Sequence, residues 1–298
     1  MNVISTQHFD LARKIVSAMT TKSWETIPHV CVTYEHDVSD FVNTLKEINS
    51  KSKNEDKITL NTALLKVVTE GLKACPKMNG HIEFNEKLVR GCVKLYKNID
   101  ISMPAVLPDG RMMTVNLHSL ENKTLGEIRD TVNTTMTLAK KSDMEAVLND
   151  AMMDNTVNEL KKGKFYDMFL RLIGSKTGKH KLESISRERK KKYVTDTDHL
   201  TKHDIEQGTV TVSNLGSLYK NWQGSCSILE IIPPQITAIG IASLQSRPVV
   251  KNGKVAVGKV LPITIAFDHR ALDMGDVVPF MEKLDEIFDN PSLLKDWL

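Results

Sequence analysis

Aromatic side chains are scarce in this sequence, at 5% of 298 residues. A core built from it must be mainly aliphatic, with 13 Met to fill irregular gaps. Long apolar runs are missing as well. No window reaches the roughly 18 uninterrupted apolar residues of a membrane span. The richest stretch, Ile231 to Leu244, is broken by Pro233, Pro234 and Gln235. No run of signal-peptide type follows Met1, where the chain reads MNVISTQHFDLARK. Cysteine is limited to Cys31, Cys75, Cys92 and Cys226, none in CxxC spacing. Neither a disulfide framework nor a metal site is expected, and a reduced, cytoplasmic chain is. Charge of one sign is lacking too: 40 basic against 37 acidic residues leave +3. That balance argues against nucleic acid as a partner.

What is present alternates between helical and strand periodicity. Phe9, Ala12, Ile15 and Met19 recur at helical spacing, and Val30, Val32 and Tyr34 alternate as in a half-buried strand. Asp37 or Ser39 can cap the next helix, whose apolar face is Val38, Phe41, Val42, Leu45 and Ile48. Leu60, Leu64, Leu65, Val68 and Leu72 form another stripe, which Pro76 stops. A strand over Ile99 to Val106 runs into a Pro108-Asp109-Gly110 turn, and Thr124 to Glu127 is a capping box. The last third is β-rich. It holds a strand from Gly208 to Leu215, another from Ile236 to Ala242, and a hairpin around Asn252-Gly253. Val260 to Phe267 reads as a strand buried on both faces, and a closing helix carries Val277, Val278, Met281, Leu284 and Ile287.

One segment stands apart. Lys161 to His203 carries a net charge of +8, which leaves −5 for the remainder. Phe165, Met168, Phe169, Leu172 and Ile173 give it a short apolar helical face, and Arg187 to Lys192 is a charge run. Three readings stay open for the region from about 145 to 205: a solvated helical excursion, a docking surface for a carrier or for CoA phosphates, and a membrane-surface contact.

The position with most chemical promise is His269, where the long apolar strand ends and a helix follows. Imidazole there can serve as a general base near neutral pH. On its own it can equally be structural, and an Asp-His-Asp metal site lacks a second soft ligand. Its context separates these readings. Asp268-His269-Arg270-Ala271-Leu272-Asp273 resembles the D-H-R-x-x-D-G signature of the dihydrolipoamide acyltransferase cores of 2-oxo acid dehydrogenase complexes. IPHVCVTYEHDV (27–38), KMNGHI (77–82), DISMPAVLPDGRMMTVNL (100–117), GTVTVSNLG (208–216), PPQITAIGI (233–241) and RPVVKNGKVAV (247–257) are similar to that family's segments in the same order. The resemblance covers nearly the whole chain outside about 145–205.

The resemblance implies one acyltransferase catalytic domain over 1–298, with a basic helical insertion. The implied fold is α+β and chloramphenicol acetyltransferase-like: a two-layer sandwich of a mixed sheet flanked by helices. The implied activity is CoA-dependent acyl transfer to a dihydrolipoamide-type thiol. His269 would be the base, Ser213 the oxyanion donor, and Asp273 an acidic residue orienting the loop through an ion pair, with Arg13 one candidate partner. No residue is singled out for holding CoA, and no metal is implied. His and Ser would come from different subunits of a homotrimer, which can build larger assemblies. The chain departs from the family in several ways. Met274 stands where the signature has Gly, so the loop is expected to shift by one residue. No lipoyl domain, Ala/Pro-rich linker or subunit-binding module is evident, so a lipoyl group would sit on a separate protein. The stretch Ser217 to Ile232 is longer than usual and alters the acyl or acceptor pocket. Two alternatives follow: a small-molecule O/N-acetyltransferase of the same fold, and a non-catalytic trimeric scaffold.

Overall fold

The computed structural model describes the backbone of residues 1–106, 110, 112–161, 169, 170, 173, 174, 177, 178, 181, 185–195 and 198–298; side chains are described for all of these except 153–161, 194 and 195. Pro108 and Asp109 of the expected turn, and Phe165, Met168 and Leu172 of the expected apolar face, lie outside the described residues. Phe169 and Ile173 are exposed.

Helix α1 (Leu11–Thr26) is capped by Asp10, whose Oδ1 accepts from the Arg13 N–H at 2.7 Å. Strand β1 (His29–Asp37) follows, then α2 (Ser39–Ser50) and α3 (Leu60–Ala74). Val38 occupies the cap position of α2, and Asp37 Oδ1 accepts from the Ser39 N–H at 3.1 Å. Not anticipated from periodicity is a two-stranded hairpin of β2 (Gly80–Asn85) and β3 (Arg90–Leu95). Its alternating Ile82 and Phe84 carry a strand signal that marks core only in part: Ile82 packs on the main cluster, whereas Phe84, Val93 and Leu95 are exposed. Strands β4 (Ile101–Val106) and β5 (Met112–Leu117) pair antiparallel, and α4 (Leu125–Lys141) opens with the Thr124/Glu127 capping box. Helices α5 (Met144–Lys161) and α6 (Arg187–Thr195) lie in the basic region. Strand β6 (Val210–Asn214) and the short α7 (Leu215–Leu218) lead to β7 (Thr237–Ile241). The hairpin of β8 (Gln245–Lys251) and β9 (Lys254–Asp268) turns at Asn252 and Gly253, with φ of 52° and 74°. Helices α8 (Met274–Asp289) and α9 (Leu293–Asp296) close the chain.

The main sheet has the order β1-β9-β7-β6-β4-β5, with β8 beside the first half of β9. Pairs β4/β6 and β6/β7 are parallel and the rest antiparallel, so the sheet is mixed. Residue parity separates its two faces. Val32, Ile265, Ile239 and Val212 share one cross-strand row, and Tyr34, Ile263 and Ile241 another. This face packs on α2, α3, α4 and α8 through Phe41, Leu65, Ile128 and Phe280. Each such side chain contributes about 1.5–3 kcal/mol by leaving water. The opposite face carries small residues. Cys31, Ala266, Ala238 and Thr211 form one row; Thr33, Thr264, Gly240 and Ser213 form the next. The architecture is α+β, a mixed sheet flanked by helices, as the resemblance implies. No described helix is long and apolar enough to cross a membrane.

Candidate active site

His269 stands one residue past the end of β9. Its N–H donates to Pro28 O at 3.1 Å, which moors it to the residue before β1. The ring is about half exposed, at 52%. Nδ1 lies 3.2 Å from Leu272 O and 3.3 Å from Asp273 Oδ1. A carbonyl only accepts, so Nδ1 carries a proton, and in the neutral ring it is Nε2 that keeps the lone pair. Asp273 thus pairs with His269, and among the described residues it makes no contact with Arg13. Arg13 is exposed. Asp273 also sits at the cap position of α8, where its N–H donates to Asp276 Oδ2 at 3.0 Å. Met274 begins that helix with ordinary backbone geometry. The expected one-residue shift is therefore unnecessary: a Cβ is accommodated where the signature has Gly.

Beside His269 lies a charge pair that holds the loop. Asp268 is fully buried, and its carboxylate accepts from Arg270 through the backbone N–H (2.9 Å), Nε (3.0 and 3.2 Å) and Nη2 (2.6 Å). The forked guanidinium matches the two oxygens of the carboxylate. Arg270 in turn lies over the Phe84 ring at 5.6 Å, tying the loop to the β2/β3 hairpin.

Ser213 sits near the end of β6, 9% exposed. Its Oγ has no hydrogen-bond partner among the described residues, so its hydrogen is available to a ligand. Under this face lies a polar network that sequence reasoning missed. Gln235, from the P-P-Q segment, is fully buried. Its Oε1 accepts from Thr211 Oγ1 at 2.6 Å and its Nε2 donates to Gly208 O at 2.9 Å. His81 Nε2 donates to the same carbonyl at 2.8 Å, and Tyr96 Oη donates to its Nδ1 at 3.1 Å. Burial lowers the His81 pKa, in keeping with a neutral ring. Two of the matching segments, 208–216 and 233–241, therefore meet through side chains that rigidify the strand carrying Ser213. A buried Gln beside two prolines was the signal in the sequence.

Within one chain, Ser213 and His269 are apart. Ser213 lies in row with Gly240 and Thr264, five residues short of His269 along β9 and two strands across. At about 3.3 Å per residue and about 4.8 Å per strand, the separation is roughly 19 Å. Among the described residues, no cluster of three or more potential ligands could hold a metal ion.

Comparison with known proteins places these features. The chain is 22% identical over 286 residues to the dihydrolipoyllysine-residue acetyltransferase component of pyruvate dehydrogenase complex of Rickettsia bellii, covering 95% of this chain and 52% of that protein. For the component of that name from Staphylococcus epidermidis the identity is 24% over 291 residues, covering 97% and 52%. The chain thus spans about half the length of the curated relatives it matches. A probable dihydrolipoamide acetyltransferase from Listeria monocytogenes has a similar structure, with TM-score 0.67 and 17% identity, covering 96% of this chain and 95% of that one. The cubic core of a pyruvate dehydrogenase multienzyme complex gives TM-score 0.67 at 15% identity, covering 99% and 94%. These two likenesses show the fold. The family model for the catalytic domain of 2-oxoacid dehydrogenases acyltransferase matches residues 4–151 and 177–295, and this chain belongs to that family.

Proposed function

We propose that this chain is the catalytic domain of a CoA-dependent acyltransferase that moves an acyl group between CoA and a dihydrolipoamide-type thiol. The observation that carries the reading is the His269 ring, half exposed, with Nδ1 committed to Leu272 O and Asp273 so that Nε2 is the nitrogen free to take a proton in the neutral ring. Nε2 takes the proton of the attacking thiol, and the sulfur adds to the thioester carbonyl. Negative charge gathers on the carbonyl oxygen, and Ser213 Oγ–H donates to it. The C–S bond to CoA then breaks, and the imidazolium returns its proton to the departing CoA thiolate. Asp273 stabilises the imidazolium while it exists.

The separation of roughly 19 Å requires His269 of one subunit to meet Ser213 of another. A homotrimer with the site at the subunit interface satisfies this, and it can serve as the unit of a larger assembly. The thiol acceptor is then a dihydrolipoyl group on a carrier. The insertion in this single catalytic domain falls within the basic segment around 145–205, of which the family match leaves only 152–176 uncovered.

The test is turnover of acetyl-CoA with dihydrolipoamide. His269→Ala is expected to lose about a thousandfold in kcat while binding CoA as before. Ser213→Ala should lose about 10²–10³-fold. Turnover by His269→Ala equal to that of the wild type would overturn the mechanism. A small-molecule hydroxyl or amine acceptor is the second reading, favoured by the segment 219–231 that covers the sheet face beside Ser213. A panel of such acceptors, with dihydrolipoamide inert, would select it.

A further inference from the structure

Residues 219–231 are fastened across the small-residue face at both ends. Ser243 Oγ donates to Tyr219 O at 3.0 Å, Gln245 Nε2 donates to Gly224 O at 2.6 Å, and Thr264 Oγ1 donates to Cys226 O. At the far end Ser23 Oγ donates to Ile231 O at 2.6 Å, and the Ile231 N–H donates to His29 Nε2 at 3.1 Å. A backbone N–H only donates, so Nε2 of His29 is unprotonated, and Nδ1–H donates to Ile27 O at 2.8 Å. Trp24 stacks on the same ring with centroids 4.9 Å apart and donates from Nε1 to Glu230 Oε1 at 3.1 Å. His29 pairs with Asp268 in the β1/β9 register, so one residue joins the segment to the strand end that presents His269.

Between these fastenings Leu229 lies against Gly240. A Cβ built on Gly240 would sit 3.3 Å from Leu229 Cδ2 and 3.7 Å from Cδ1. Gly240 is the cross-strand neighbour of Ser213. The space that glycine opens beside the Ser213 hydroxyl is therefore taken by the leucine methyls of the covering segment.

We infer that His29 is a positioning residue that latches segment 219–231 in place, and that the segment, through Leu229, limits the size of acyl group accepted beside Ser213. The size limit rests on the acyltransferase reading above; the latch does not. An apolar pocket discriminates about ten- to two-hundredfold per methylene. Removing the leucine side chain beyond Cβ should therefore relax selection against longer chains.

The experiment measures kcat/KM for acetyl-CoA and hexanoyl-CoA with dihydrolipoamide, using the full chain. It compares wild type with Leu229→Ala, His29→Leu and His29→Gln. Amide exchange at Ile231 is followed in parallel by mass spectrometry. Leu229→Ala is expected to raise the hexanoyl-to-acetyl ratio about tenfold. His29→Leu should raise the same ratio and speed exchange at Ile231. His29→Gln places an amide oxygen near the Nε2 position and should restore both. Exchange in β4 serves as the folding control. An unchanged ratio in Leu229→Ala, with an active wild type, overturns the size limit. Unchanged exchange at Ile231 in His29→Leu overturns the latch. A wild type that transfers neither acyl group overturns the acyltransferase reading and the size limit with it, while exchange still decides the latch.

Discussion

Asp268 bears a carboxylate with none of its surface exposed, which is costly unless a partner answers it. Arg270 does so with a fork that no lysine reproduces. Arg270→Ala leaves that charge unpaired and is expected to destabilise the fold by about 3–5 kcal/mol in urea titrations. It should also loosen His269, the residue between the pair. A loss below about 1 kcal/mol would mean that water reaches Asp268 and the pair is a surface one. His269, Ser213 and Asp273 are candidates that the sequence offers because each sits in a segment whose residue types carry the signature. The roles of His29 and Gln235 were not legible there. Each acts through a partner far along the chain, Ile231 for one and Thr211 and Gly208 for the other. Residue types and spacing say little about such pairings.

At the scale of elements, local chemistry and periodicity were reliable where they agreed. Thr124 and Glu127 close the capping box that the spacing predicts: Glu127 N–H donates to Thr124 Oγ1 at 3.3 Å and Thr124 N–H to Glu127 Oε2 at 2.8 Å. Thr124→Ala is expected to cost about 1 kcal/mol by thermal denaturation, and Thr124→Ser to cost little. The mostly apolar run Val260 to Phe267 became the buried C-terminal half of β9, with β1 pairing one edge and β7 the other. The β2/β3 hairpin was illegible for the opposite reason. Its apolar residues alternate as strand residues do, yet only Ile82 packs on the core while Phe84, Val93 and Leu95 stay exposed, so it offers little core pattern to recognise.

At the scale of the whole molecule, the basic region returns to the sheet edge at a cluster of opposite charges. His118, after β5, faces Asp100 Oδ2 at 3.8 Å and Asp204 Oδ1 at 3.4 Å, and stacks on His203 at 4.4 Å. The facing carboxylates of Asp100 and then Asp204 raise the His118 pKa to about 9, against the desolvation that would lower it. Burial would raise the pKa values of Asp100 and Asp204, but the facing His118 ring first, and then hydrogen bonds from neighbours such as the Ser119 and Thr201 N–H groups, bring each down to about 2. The histidine contribution is present in full below its unfolded pKa of about 6.5 and is lost as pH rises through about 9. The carboxylate contribution is present above about 4 and is lost as pH falls through about 2. Unfolding free energies from urea titrations at pH 6 to 10 should fall on the alkaline side by an amount on the order of 2 kcal/mol. His118→Gln should flatten that fall, and parallel curves for the two proteins would refute the assignment.

The distance between Ser213 and His269 has a genetic consequence. On the proposed assembly each reaction centre takes one half from each of two neighbours, so two inactive proteins can repair one another. Ser213→Ala and His269→Ala, each silent alone, are expected to recover about one quarter of wild-type turnover when unfolded and refolded together in equal amounts. Each centre then draws an intact half from either side with even odds. Mixing the two after assembly should recover nothing until subunits exchange, which makes the return of activity a clock for how long one trimer keeps its members.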